Sequence, residues 1–136
     1  MTDDSFDREL ENLRRRRLED MRMSAEKEWP SAPVNVTDGE FQEFVNKYPR
    51  VIIDCWAPWC GPCRMLGPVI DELAGAYKGK VAFGKLNTDD SQATAMGFGI
   101  QSIPTLLFFR DGKLVSREVG ALPRQALEPK IKAFVG

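Results

Sequence analysis

The run Val51-Ile52-Ile53-Asp54-Cys55-Trp56 constrains this chain more than any other stretch. Successive side chains of a strand point to opposite faces, and here both faces are apolar except for one acid. Such a strand must be covered from both sides, so it belongs in the middle of a sheet flanked by helices. A chain of 136 residues has room for one domain of that kind and little more.

The rest of the pattern agrees. Val34 to Val36 reads as a short strand, and Thr37-Asp38-Gly39-Glu40 has the form of a capping box opening a helix from about Asp38 to Asn46. Cys60 onward is helical in pattern through Met65, Leu66, Val69, Ile70, Leu73 and Ala74, with Pro68 expected to kink it. Val81 to Leu86 reads as another buried strand, and Ser91 to Met96 as a short helix ended by Gly97 and Gly99. Thr105 to Arg110, then Asp111-Gly112, then Lys113 to Val119 is strand, turn, strand, since Asp-Gly supplies the two positive φ angles of a tight hairpin. Pro123 suits the first turn of a last helix ending near Phe134, which Pro129 should bend or shorten. Alternating strands and helices followed by a hairpin predict an α/β fold with a mixed sheet and helices on both faces.

Composition shifts at Trp29-Pro30-Ser31-Ala32-Pro33, which divides residues 1–33 from residues 34–136. The first segment carries seven basic and nine acidic residues, and a helix is expected over Ser5 to Met23. Asp4 with Arg8, Glu11 with Arg15, Arg15 with Glu19 and Arg16 with Asp20 are opposite charges four apart. Phe6, Leu10, Leu13 and Met21 share a face, with Leu18 off to its side, that could dock on a partner or on the domain itself, but the seam is not sustained over enough heptads for a coiled coil, and the segment could equally be a solvated, frayed helix. The prolines then form a linker to the second segment, which holds every cysteine.

The absence of histidine removes Ser-His-Asp and Cys-His catalysis and every histidine-bearing metal site. The chemistry must rest on Cys55, Cys60 and Cys63, too few for a secreted disulfide scaffold and suggestive of a reducing interior. Trp59-Cys60-Gly61-Pro62-Cys63 joins the end of the buried strand to the start of a helix. There the free N–H groups and the helix dipole favour a thiolate. Cys60 is expected at that end and exposed, as the nucleophile. Cys63, three residues on and less accessible, resolves the mixed disulfide, and Gly61 and Pro62 keep the turn tight. With no imidazolium between the cysteines, the pair should be a reductant rather than a strong oxidant. Asp54, a carboxyl in a buried strand, should have a raised pKa and could relay a proton to or from Cys63, with Lys85 on the next strand as a modulating charge. It could equally be a carboxyl that only hydrogen-bonds nearby backbone. Cys55 reads as a small core residue.

These residues resemble the thioredoxin family. Trp59-Cys60-Gly61-Pro62-Cys63 looks like its active site, Asp54 like its buried acid, Ser102-Ile103-Pro104-Thr105 like its cis-proline loop and Gly120 like its substrate-facing glycine, over about Val34 to Gly136. The resemblance implies a thioredoxin fold with a central five-stranded mixed sheet, here with an N-terminal helical extension. It implies that Pro104 is cis and faces the disulfide, and that Trp59, Pro62, Ile103 and Gly120, beside Gly61, frame a patch for extended substrate protein. It further implies a protein-disulfide reductase that needs no cofactor of its own and acts as a monomer. A thioredoxin reductase, flavoprotein or ferredoxin-linked, would reload it, and disulfide-bearing proteins would be its targets.

A net charge of -1 argues against a basic surface for nucleic acid, and no apolar run is long enough for a membrane span. The acidic start Met1-Thr2-Asp3-Asp4 is unlike a secretory signal, so a cytoplasmic location is expected. Two other readings of the cysteines stay open. A C-x-x-C pair is half a zinc site, although three thiols fall short of four ligands within one chain. The fold could also be a rigid adaptor whose redox chemistry is incidental.

Overall fold

The computed structural model describes residues 4–136, with the side chains of residues 22–27 left aside. Helix α1 spans Asp4–Glu28. The sequence pattern then resolves into β1 (Val34–Asn35), α2 (Phe41–Lys47), β2 (Arg50–Trp56), α3 (Gly61–Ala76), β3 (Ala82–Asn87), α4 (Gln92–Gly97), β4 (Thr105–Arg110), β5 (Lys113–Val119) and α5 (Arg124–Val135). One five-stranded sheet forms in the order β1-β3-β2-β4-β5. β3 runs parallel to β1 and β2, whereas β4 is antiparallel to β2 and β5. The sheet is therefore mixed, with the doubly apolar strand β2 at its centre.

Strand alternation assigns the two cores. Ile52, Phe83, Leu106 and Phe108 pack with Leu66, Ile70 and Leu73 of α3 and with Leu127, Ile131 and Phe134 of α5. On the other face Val51, Ile53, Cys55, Leu107 and Phe109 pack with Phe41 and Val45 of α2. Trp29 joins this second core at 9% exposure, its ring 4.9 Å from that of Tyr48, whose hydroxyl donates to the Glu28 carbonyl at 3.4 Å. The C-terminal end of α1 is thereby tied to the domain.

Gly84 shows how tightly the second face is filled. A Cβ there would lie 2.7 Å from Ile53 Cδ1, 2.9 Å from Phe44 Cε2 and 3.2 Å from Val36 Cγ2. Gly84→Ala is expected to cost about 1–3 kcal/mol by overpacking. Urea unfolding should show it as a lower midpoint with an unchanged slope; an unmoved midpoint would mean that these side chains give way freely.

Three local expectations need correction. The capping box does not form: Thr37 Oγ1 meets Glu40 Oε1 at 2.7 Å, and α2 starts only at Phe41 with no side-chain cap. Asp38 instead reaches across the chain, accepting from the N–H groups of Ala93 (3.3 Å) and Thr94 (2.8 Å) at the start of α4, while its own N–H donates to Ser91 Oγ. A local motif thus loses to a long-range cap on a helix that lacks one of its own. Of bending or shortening, Pro129 does not shorten α5, which continues to Val135, within a residue of the expected end. Gln125, four residues earlier, is exposed like Pro129, so the carbonyl that the proline leaves free lies on the solvent side of the helix. In α1, none of the four opposite-charge pairs is closed among the ion pairs of the described residues. Such exposed pairs gain only a few tenths of a kcal/mol each and stay hydrated.

Candidate redox site

The site grows from the C-terminal end of β2. Trp56 ends the strand, and its carbonyl accepts from Thr88 N (2.9 Å) and Thr88 Oγ1 (3.1 Å), which ties the departing chain to the segment after β3. The loop Ala57-Pro58-Trp59 then turns, with Cys60 N donating to the Ala57 carbonyl at 3.1 Å. Cys60 is the N-cap of α3 in extended backbone (φ -86°, ψ 112°), and Gly61 and Pro62 form the exposed first turn. The Cys63 N–H donates to Cys60 Sγ at 3.3 Å, so a free N–H at the helix start is spent on sulfur. No acidic residue lies in that first turn to oppose a thiolate.

Cys60 and Cys63 are joined as a disulfide with Cα atoms 5.3 Å apart. Cys60 is not the exposed residue expected from sequence: both cysteines are 4% exposed. They pack with Ala57 against Trp56 and Ile103. The Ile103 carbonyl lies 3.8 Å from Cys60 Sγ, and the Ile103–Pro104 peptide is cis. Pro104 is buried, and its carbonyl accepts from Gly120 N at 2.8 Å, which brings Gly120, at φ +103°, to the same edge. Trp59 is 67% exposed, and its indole N–H donates to both Asp89 carboxylate oxygens at 3.1 and 3.3 Å.

Asp54 lies one strand residue before Cys55, on the face that packs under α3, and pairs in register with Lys85 of β3. It is 1% exposed, and neither carboxylate oxygen has a hydrogen-bond partner among the described residues. Burial pushes its pKa up to about 6; Lys85 holds it down and Asp71 adds a smaller push upward. The Lys85 ammonium sits 5.2 Å from the centroid of the Trp56 ring. Cys55 is fully buried on the opposite face, and burial, with help from Asp54, pushes its thiol up to about 12. That thiol stays protonated and unreactive at neutral pH. Among the described residues no group of three or more metal-ligating side chains forms.

With this geometry in place, comparison with known proteins is decisive. The thioredoxin family model matches residues 32–133. The chain belongs to the thioredoxin family. It is 50% identical over 101 residues to thioredoxin 2 of Chlorobaculum tepidum, covering 74% of this chain and 93% of that one. To the thioredoxin of Haemophilus influenzae it is 48% identical over 98 residues, covering 71% and 92%. Among solved structures, a point mutant of thioredoxin from Halobacterium salinarum superposes with a TM-score of 0.74 at 34% identity, covering 79% of this chain and 95% of that one. The chain is a thiol-disulfide oxidoreductase with the thioredoxin fold, and the whole of α1 lies outside the family match.

The residues themselves point to Cys60, Cys63, Asp54 and Lys85, and the family resemblance to the Ile103–Pro104 loop, but neither indicates two neighbours. Asp89 anchors the Trp59 indole, and Arg64 donates to the Pro58 carbonyl at 2.7 and 3.1 Å, bracing the loop that precedes Cys60. An acid just beyond a strand end was the available signal for Asp89. For Arg64 the signal was a cation one turn into the helix.

Proposed function

We propose that this thioredoxin-family protein reduces disulfides in cytoplasmic target proteins, with Cys60 as nucleophile and Cys63 as resolving thiol. The observation that carries this reading is the Cys60 sulfur at the N-cap of α3, receiving the Cys63 N–H beside the Ile103–Pro104 loop. In the dithiol form the Cys60 thiolate attacks one target sulfur, the target disulfide breaks, and the departing target thiolate takes a proton. Asp54, largely ionised at pH 7, accepts the Cys63 proton. The Cys63 thiolate then attacks Cys60, releases the second target thiol and closes the Cys60–Cys63 bond, so two electrons have passed to the target.

Lys85 acts as the counter-charge that keeps Asp54 from rising further. Trp59, Gly61, Pro62, Ile103, Pro104 and Gly120 form the rim on which an extended target segment lies. A thioredoxin reductase, flavoprotein or ferredoxin-linked, returns two electrons to the pair. No helix of the described residues is long and apolar enough to cross a membrane.

Equilibration of the pair against defined dithiol and disulfide mixtures tests the direction of electron flow. The couple is expected to be more reducing than the glutathione pool. A potential more positive than about -200 mV would mark an isomerase or oxidant and overturn the reductase reading.

A further inference from the structure

We infer that α1 pairs antiparallel with α1 of a second copy of this chain. Phe6, Leu13 and Met21 are 57%, 61% and 62% exposed, Leu10 is half-buried, and no other side chain of Asp4–Met21 is buried. The stripe Phe6, Leu10, Leu13, Arg17 advances by four, three and four residues, which is the spacing of a two-stranded seam. Antiparallel, that seam sets Leu10 against Leu13 of the second copy and Phe6 against its Arg17, a cation over a ring. A parallel pair would instead face Arg17 with Arg17.

Charge gives the second, independent argument. Asp4–Leu13 holds four acids against one arginine, and Arg14–Met21 holds four arginines against two acids. In the antiparallel alignment the seam is flanked by Asp7 opposite Arg14 and by Glu9 opposite Arg16, each twice by symmetry. None of these four side chains is engaged in an ion pair of the described residues, so all remain available to a partner. About 18 Å of helix separates Arg17 from Trp29, so in the antiparallel pair the two domains are carried away from the paired segment at its opposite ends. Two heptads bury less than a standard interface, which makes the pairing weak and concentration-dependent. It departs from the monomer expected on sequence.

Sedimentation equilibrium of the oxidised full chain tests this. At low salt the average mass should climb toward twice that of the monomer as concentration reaches the millimolar range, and should fall back in high salt. Arg14→Glu with Arg16→Glu should weaken association about tenfold or more. Adding Asp7→Arg and Glu9→Arg to that chain should restore it. A mass that stays monomeric at every concentration overturns the proposal. So does association indifferent to the charge reversal, or one that the fourfold swap fails to recover.

Discussion

Cys60→Ser is expected to drop insulin disulfide reduction to the rate of dithiothreitol alone. Serine's hydroxyl stays protonated at neutral pH, so the N–H groups at the start of α3 have no sulfur anion to stabilise and the first attack is lost. Cys63→Ser should behave differently. Cys60 remains at the N-cap of α3 and still attacks, but nothing resolves the product, so the target accumulates as a mixed disulfide on Cys60. Non-reducing gels followed by mass spectrometry of the adduct distinguish the two variants. Wild-type turnover in Cys60→Ser would show that the pair is incidental and that the fold is an adaptor.

Much of this was legible in the sequence because the deciding features are local. Residues Val51 to Trp56 announced a central strand, and the turn at Asp111 and Gly112 has the positive φ angles, 51° and 81°, that its two residues favour. The link from β2 to α3 placed the cysteines, since a strand running into a helix start is a short-range event. What escaped depends on partners far away in the chain. Asp38 caps α4 more than fifty residues on, and Trp29 enters a core assembled from α2 and the sheet. The burial of Cys60 is of the same kind, because Ile103 arrives from beyond α4 to cover it. Local pattern can assign an element and its periodicity, but it does not say which distant group will outcompete a nearby one.

The second large effect concerns Asp54, where stability and catalysis pull apart. Its pKa rises from 3.8 in the unfolded chain to about 6 in the fold because burial disfavours the charged form. The folded state therefore binds the proton more tightly. Stability is fully retained below the unfolded pKa and is lost as pH rises through about 6, by about 3 kcal/mol in all. Asp54→Asn removes the ionisation and should stabilise the protein by up to about 3 kcal/mol at pH 8, with almost no effect at pH 3. Urea unfolding at the two pH values measures the difference, and a gain equal at both would show that the fold does not disfavour the charged carboxylate. The same variant should resolve the mixed disulfide about a hundredfold more slowly at pH 7, since no carboxylate takes the Cys63 proton. The rising limb near pH 6 expected of the wild-type resolution step should vanish with it. A stabilised variant that keeps both its rate and that limb would make Asp54 a structural burden without a chemical role. A stabilised but slow one ties the cost of burying the acid to the step that releases the reduced target.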